Sequence, residues 1–291
     1  MFPGMKRPAS KTPALRRLPP VRRNGTPLLD HLADCLPLSR RAAKTLLDDR
    51  LVFVNGRRIW MARHLLQIRD AVDLLPDAVA PQRDKDTPVR LLVDDPKFLV
   101  ADKPPRLLTV GDKSLEVRLR DQLGLPALRA VHRLDKDTSG CVLFAKTEAA
   151  RETLVAQFEE GRIRKLYHAL VAGNLSEPQM DVRLHVDHLP AVSHVRQVSA
   201  QTKPPRCAHV TVSIETGRTH QIRIHLHHIG NPVLGDRQYF NARSGDFPEV
   251  PRQMLHASEL RFAHPATGKP ATASSPLPKD FRDWLRLLRL T

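Results

Sequence analysis

The sequence predicts an α+β protein in two parts: a small αα-β unit near the N-terminus and a larger, strand-rich domain after it. Three observations carry this. Leucines at helical spacing in residues 28–36, and a second helical stretch after Ser39, are followed at once by a short β pattern. Residues 76–88 are rich in Pro, Asp and Lys and read as a semi-flexible linker. From Val89 onward, short apolar runs of strand length recur and few stretches keep a helical period.

The chain has 291 residues, enough for one large domain and a small one. Lys and Arg total 47 against 31 Asp and Glu, a formal net charge of +16. An excess of that size points to a polyanionic partner, nucleic acid ahead of an acidic membrane surface. Cys35, Cys141 and Cys207 are far apart and form no C-x-x-C, so neither a zinc ribbon nor a disulfide framework is indicated. That fits a reducing compartment, and the cytoplasm is the expected location. No apolar run approaches the roughly 20 residues needed to span a bilayer. Residues 1–25 have no apolar signal-peptide core.

Residues 1–25 combine seven Lys and Arg with several prolines and no acid, a composition expected to stay disordered. Such an arm could track phosphates or be a solvated tail; an organellar transit peptide fits it less well. Residues 26–75 form the small unit. Leu28, Leu29, Leu32 and Leu36 give one helix, ended by Pro37. Ser39 caps a second, with Ala42, Ala43, Leu46 and Leu47 inward and Arg40, Arg41 and Lys44 on the other side. Residues 51–54 read as a strand, Asn55-Gly56 as a hairpin turn, and 72–75 as a last strand.

In the large domain, 91–93 and 98–100 pair around Asp94-Asp95-Pro96. Residues 131–140 are a charged segment before the apolar strand 141–145. Asp137-Thr138-Ser139-Gly140 is turn chemistry. Asp135 therefore sits near a strand end between Arg133 and Lys136, where a carboxylate can serve as nucleophile or base. Thr147 caps a helix over 147–160, and 164–173 is a strand carrying Lys165 and Tyr167. Residues 210–214 alternate as a half-exposed strand. After the turn at Gly217, Ile222, Leu226 and Ile229 keep helical spacing, which puts Arg223 in the first turns of a short helix. His220, His225, His227 and His228 suggest a metal, but no second cluster of ligand types completes a site, and none is expected. A further strand over 255–265 and a short helix over 281–290 close the chain.

His132-Arg133-Leu134-Asp135, followed by Thr138-Ser139-Gly140, resembles the signature of the RluA-type RNA pseudouridine synthases. The 215–226 segment and Gly230 to Asp236 are similar to the same family. So is Lys103-Pro104, although Arg106 stands where Gly is usual. Residues 26–75 resemble the S-four RNA-binding module, with Arg50 in place of its usual Gly.

The resemblance implies a pseudouridine synthase fold with a mostly antiparallel mixed sheet, and an isomerase that needs no cofactor. Uracil leaves the ribose through N1, turns and rejoins through carbon 5. It implies Asp135 as the catalytic acid group, attacking the sugar or assisting departure of the base. Arg223 would hold and aim it, and Tyr167 would stack on the uracil and move a proton. Arg133 would fill the space left by a flipped base. Lys103, Lys136 and Lys165 would face the RNA backbone, with Arg40, Arg41 and Lys44 as further contacts. Ile222 would pack under the base or in the core. The implied partner is RNA, 23S ribosomal RNA of the large subunit first and tRNA second. No membrane is implied, and a monomer is expected. A non-catalytic RNA-binding or ribosome-assembly factor is the reading from another class.

Overall fold

The computed structural model describes residues 16–36, 38–48, 51–74, 87–240, 247 and 250–291. The expectations for residues 1–15, Pro37, Arg50, Leu75 and 76–86 lie outside these. Two compact units meet in sequence between Thr87 and Pro88.

The small unit contains β1 (Arg16–Arg17), β2 (Thr26–Pro27), α1 (Leu28–Cys35), α2 (Arg40–Asp48), β3 (Val52–Val54), β4 (Arg57–Arg58), β5 (Leu65–Leu66) and β6 (Val72–Leu74). Its sheet runs β1-β6-β3-β4, and β2 pairs with β5. Ser39 Oγ accepts from the Ala42 amide at 3.2 Å, as its sequence position predicts. Leu28 and Leu32 of α1 and Ala43 and Leu47 of α2 are sealed against Val52 and Leu74. The disordered arm, expected to reach residue 25, is corrected here. Arg16 and Arg17 pair with Leu74 and Asp73, the Arg17 guanidinium meets the Asp73 carboxylate, and Leu18 and Val21 are buried. Composition counted charges and prolines, but two apolar residues beside an open strand edge are enough to order the segment.

The large unit contains β7 (Leu91–Asp94), β8 (Phe98–Lys103), α3 (Leu115–Leu123), β9 (Arg129–Ala130), β10 (Ser139–Ala145), α4 (Glu148–Glu159), β11 (Arg164–Ala172), β12 (Gln179–Val186), β13 (Leu189–Gln201), β14 (Cys207–Ile214), α5 (Gln221–His228), β15 (Leu255–Ala263), β16 (Pro270–Ser274) and α6 (Lys279–Leu287). They build one sheet in the order β12-β13-β14-β11-β15-β10-β8-β7, with β16 on β15 and β9 on β10. Among the described pairings, β10 with β15 is parallel and the rest are antiparallel. Every residue of β10 is buried, which explains its continuous apolar run. Along β11, Tyr167, Ala169 and Val171 enter one core with Val210 and Val212. Leu170 and Ala172 enter another, under Phe281, Trp284 and Leu285 of α6.

Two features of this sheet aim residues at one place. The register of β11 against β15 shifts between Leu166 and Tyr167, a bulge that redirects the tyrosine. Gly140, the second residue of β10, lies beside Ala257 of β15 with φ of 113°, and a Cβ there would lie 2.1 Å from the Ala257 carbonyl oxygen. Only glycine permits this approach. Ala257 is also the partner of Tyr167 on β11, so the start of β10 and Tyr167 flank one residue of β15.

Candidate active site

Asp135 lies in the loop between β9 and β10, and its neighbours are fixed from below. The buried Thr109 hydroxyl accepts from the Leu134 amide and donates to the Leu134 carbonyl, both at 3.0 Å. Lys103 Nζ donates to the carbonyls of Pro104, Leu107 and Lys136 at 3.0, 2.6 and 3.0 Å. The Thr138 amide donates to the Asp135 carbonyl at 3.1 Å. Backbone on both sides of the carboxylate is thus held by groups that solvent does not reach.

Opposite it, His220 stands at the N-cap of α5, a non-glycine residue with φ of 57°. The turn before it is anchored by Gln221, whose Oε1 accepts from the Thr216 hydroxyl at 2.6 Å and the Arg218 amide at 3.1 Å. Its Nε2 donates to the Val192 carbonyl at 2.9 Å. This brings Arg223 to the carboxylate: Nη1 donates to Asp135 Oδ2 at 2.9 Å. The other edge of the guanidinium donates to Asp236, Nε to Oδ2 at 2.6 Å and Nη2 to Oδ1 at 2.9 Å. Asp236 also accepts from the amides of Gln238 and Tyr239. Gly235 makes that position possible: with φ of 77°, its Cβ would stand 1.9 Å from the Arg252 carbonyl oxygen.

Burial opposes charge on Arg223, but the hydrogen bonds and charges of Asp236 and Asp135 outweigh it and raise its pKa. Burial likewise opposes charge on Asp236, and the Arg223 fork with the two amides overrides it and lowers its pKa. Tyr167 is 6% exposed, and burial followed by the Asp135 charge raises its pKa, so the phenol stays protonated. Burial lowers the pKa of His220 below the usual imidazole value, against the opposing pull of Asp135.

Asp135, Tyr167, Arg223, Ile222 and Arg133 line one open cleft that encloses about 430 Å³, mouth included. Ile222 belongs to both readings made for it, as it lines the cleft and joins the core beneath. Arg133 and Lys136 are exposed. Two expected backbone contacts are corrected. Lys103 is fully buried, and Lys165 is 4% exposed with Nζ donating to the carbonyls of Glu215 and Thr216 at 3.3 and 3.1 Å. Burial pulls their pKa values to about 7 and about 8. Both lysines tie loops together because several backbone carbonyls converge on each, a convergence no local sequence pattern reveals. Arg40, Arg41 and Lys44 are exposed on α2, but Arg40 pairs with Asp30 at 2.6 Å and Lys44 with Asp48 at 3.1 Å.

The sequence reading missed Asp236, Gln253 and Tyr239. Gln253 Nε2 donates to Thr138 Oγ1 at 2.7 Å and stands 3.4 Å from Asp135 Oδ2. The Tyr239 ring lies 5.0 Å from the Arg223 guanidinium carbon, and its hydroxyl is 3.1 Å from His220 Nδ1. Asp236 closes the 230–236 segment that resembles the family, and an acid there, downstream of Arg223, is its signal in the sequence; Gln253 has none. Among the described residues, no group of three His, Cys, Asp or Glu is arranged to hold a metal ion.

A family profile described as RNA pseudouridylate synthase matches residues 97–228. Ribosomal large subunit pseudouridine synthase D of Haemophilus influenzae is 31% identical over 293 residues, 89% of this chain and 90% of that one. The chain belongs to the RluA-type RNA pseudouridine synthases. The Pseudomonas aeruginosa protein of the same name is 36% identical over 70% of this chain and 73% of its own. A solved structure, human RNA pseudouridylate synthase domain containing 4, superposes with a TM-score of 0.58 at 22% identity, covering 69% of this chain and 93% of that one, and shares the fold. As an RluA-type synthase, the chain is an isomerase acting on uridine in RNA.

Proposed function

We propose that this synthase acts on ribosomal RNA of the large subunit and that Asp135, Arg223 and Tyr167 carry its reaction. The observation behind the second part is the Arg223 Nη1 bond to Asp135 Oδ2 at 2.9 Å, beside a cleft that Asp135 and Tyr167 both line. The target base is flipped from an RNA loop or bulge, where unstacking is least costly. Asp135 attacks the sugar carbon or assists departure of the base, and the N1–C1′ bond breaks, its electron pair leaving with the uracil. The uracil turns against Tyr167 and its C5 bonds to C1′; where Asp135 has attacked, the Asp135–C1′ ester bond breaks in this step and frees the carboxylate. The C5 proton then leaves, and N1 gains one. Arg133, at the rim, occupies the gap in the stack; its guanidinium can stack and meet phosphate together. Lys136 joins it on the backbone.

The names carried by the Haemophilus and Pseudomonas relatives support the ribosomal target. The small unit, with its αα-β order, serves as an RNA-binding module of the S-four kind. The enzyme works as a cytoplasmic monomer; among the described residues no helix is long and apolar enough to cross a membrane.

Pseudouridine mapping of total RNA with and without the protein tests the target. Modification confined to tRNA defeats the ribosomal assignment. Asp135→Asn tests the site: isomerisation should vanish while RNA still binds. Turnover within threefold of wild type would remove Asp135 from the chemistry.

A further inference from the structure

We propose that the RNA-contacting surface of the small unit is the run 51–69 rather than α2, with Trp60 as a stacking platform for an unpaired base. This rests on the reading that the small unit binds RNA, and narrows it to one surface and to single-stranded nucleotides.

Charge separates the two candidate surfaces. On α2, Arg40 and Lys44 are each paired with an acid, Asp30 and Asp48. Residues 51–69 carry four arginines and neither Asp nor Glu. Arg57, Arg63 and Arg69 are all exposed. The next acid, Asp70, is half-buried and is engaged within the unit, accepting from Asn55 Nδ2 and the Gln67 amide at 2.7 Å each.

Exposed apolar surface falls on the same run. The four most exposed large apolar side chains among the described residues are Leu65 at 58%, Met61 at 56%, Ile68 at 52% and Trp60 at 50%. Exposed apolar side chains interleaved with exposed arginines along one run of chain mark a contact surface. The backbone beneath it is held. The Leu28 and Leu29 amides donate to the carbonyls of His64 and Ala62 at 2.8 and 3.2 Å, and the Ile68 amide donates to Asn24 Oδ1 at 2.9 Å.

The chemistry that fits such a surface is single-stranded nucleic acid. Every base presents a flat π-face to a tryptophan, while arginines take the phosphates. A paired A-form helix hides its base faces, so a duplex has nothing to offer the indole.

The full chain and two RNA probes, a hairpin with an unpaired loop and a blunt duplex of equal length, test the proposal. The chain has two tryptophans, and Trp284 is 7% exposed, so acrylamide quenching reports chiefly on Trp60. Loop RNA should change the emission and shield it from acrylamide. Trp60→Phe should bind RNA with that signal lost. Trp60→Ala should weaken loop binding by roughly 5- to 150-fold with its thermal midpoint kept. Replacing Arg57, Arg63 and Arg69 by Gln should flatten the salt dependence by about 0.7 in log–log slope per lost contact. Binding seen by anisotropy, with unchanged quenching and wild-type affinity in Trp60→Ala, overturns this surface and leaves RNA binding elsewhere on the small unit standing. Equal shielding by the duplex overturns the stacking role. Shielding of Trp60 in the free chain shows a surface covered by protein and overturns it too. A wild-type chain that binds neither probe removes the underlying reading as well.

Discussion

Arg223 and Asp236 form a two-point ion pair, at 2.6 and 2.9 Å, that uses one whole edge of the guanidinium, and Nη1 beyond that edge reaches Asp135 at 2.9 Å. The geometry makes Asp236 the residue that sets the angle of Arg223. A guanidinium held at one edge by a planar carboxylate cannot rotate, so Nη1 points in a fixed direction.

Asp236→Asn should therefore lower kcat by roughly 10- to 100-fold through lost aim while KM changes little. Because Asp236 is 2% exposed, leaving Arg223 without this charge should also reduce stability, by about 3–5 kcal/mol on the scale of broken buried pairs. Arg223→Lys keeps the charge but has no second edge, and should lose more activity than stability. Single-turnover rates beside urea denaturation separate the two effects. A D236N protein with wild-type kcat would mean the angle of Arg223 is set elsewhere.

The lysines near Asp135 divide by burial, and their variants should divide in the same way. Lys103 makes three bonds to carbonyls within the protein. Lys103→Met should leave those acceptors unpaired, lowering stability and turnover while the salt dependence of RNA binding stays as it was. Lys136→Gln and Arg133→Gln remove exposed charges, and each should reduce the slope of log affinity against log salt by about 0.7 to 1. Affinity measured at several salt concentrations decides: a flattened slope in K103M would restore the phosphate contact that its burial argues against.

Much of this was legible in advance, and the losses have physical causes. Asp135, Tyr167 and Arg223 came from motif resemblance, and the cleft gathers them although Asp135 and Arg223 are 88 residues apart. The hairpin of β12 and β13 went unread because its inward set is short, Val182, Val186, Ala191 and Val195, and its exposed positions mix polar residues with Leu189 and Val198, which blurs the alternation. Lys103 and Lys165 were misassigned for a different reason. A lysine beside a motif looks like a phosphate ligand in sequence, and only the convergence of loops shows that backbone carbonyls already accept its N–H groups. The order of residues 16–25 was missed because strand pairing with β6 is a non-local contribution that composition does not contain.

Two glycines carry the register on which the site depends. At Gly140 and Gly235 an added Cβ meets a carbonyl oxygen of another strand or loop, at 2.1 and 1.9 Å, and both residues have positive φ. Neither neighbour is the flexible end of a side chain, so the backbone itself would have to move. Gly140→Ala and Gly235→Ala should each cost several kcal/mol, the sum of positive-φ strain and steric displacement, on the order of 3 or more. Gly140→Ala should also displace Asp135, and Gly235→Ala should displace Asp236. Chemical denaturation reads the stability, and hydrogen exchange at Ala257 and Arg252 locates the strain. An alanine variant within 1 kcal/mol of wild type would show that the strands slide apart freely.

Acid should destabilise the fold above the range where carboxylates titrate. His256 is fully buried between the Ser139 hydroxyl at Nδ1 and the Ser275 carbonyl at Nε2, and burial lowers its pKa to about 4. His209, hydrogen-bonded to His168 at 2.8 Å, is lowered to about 4, and His132, which accepts from the Leu143 amide, to about 3. Each is neutral when folded and takes a proton near 6.5 when unfolded. Their contribution is fully present above pH 6.5 and is lost as pH falls from there toward 4. Each adds a slope of up to about 1.4 kcal/mol per pH unit. His194 acts the other way: Asp181 and Glu215 raise its pKa, so its contribution is present below pH 6.5 and lost as pH rises. It is more than a third exposed, so solvent weakens that term. Urea midpoints between pH 5 and 6.5 should fall with acid, and His256→Asn should make the fall shallower whatever its own cost in stability. A midpoint that is flat over that window would mean these imidazoles already carry protons in the folded chain.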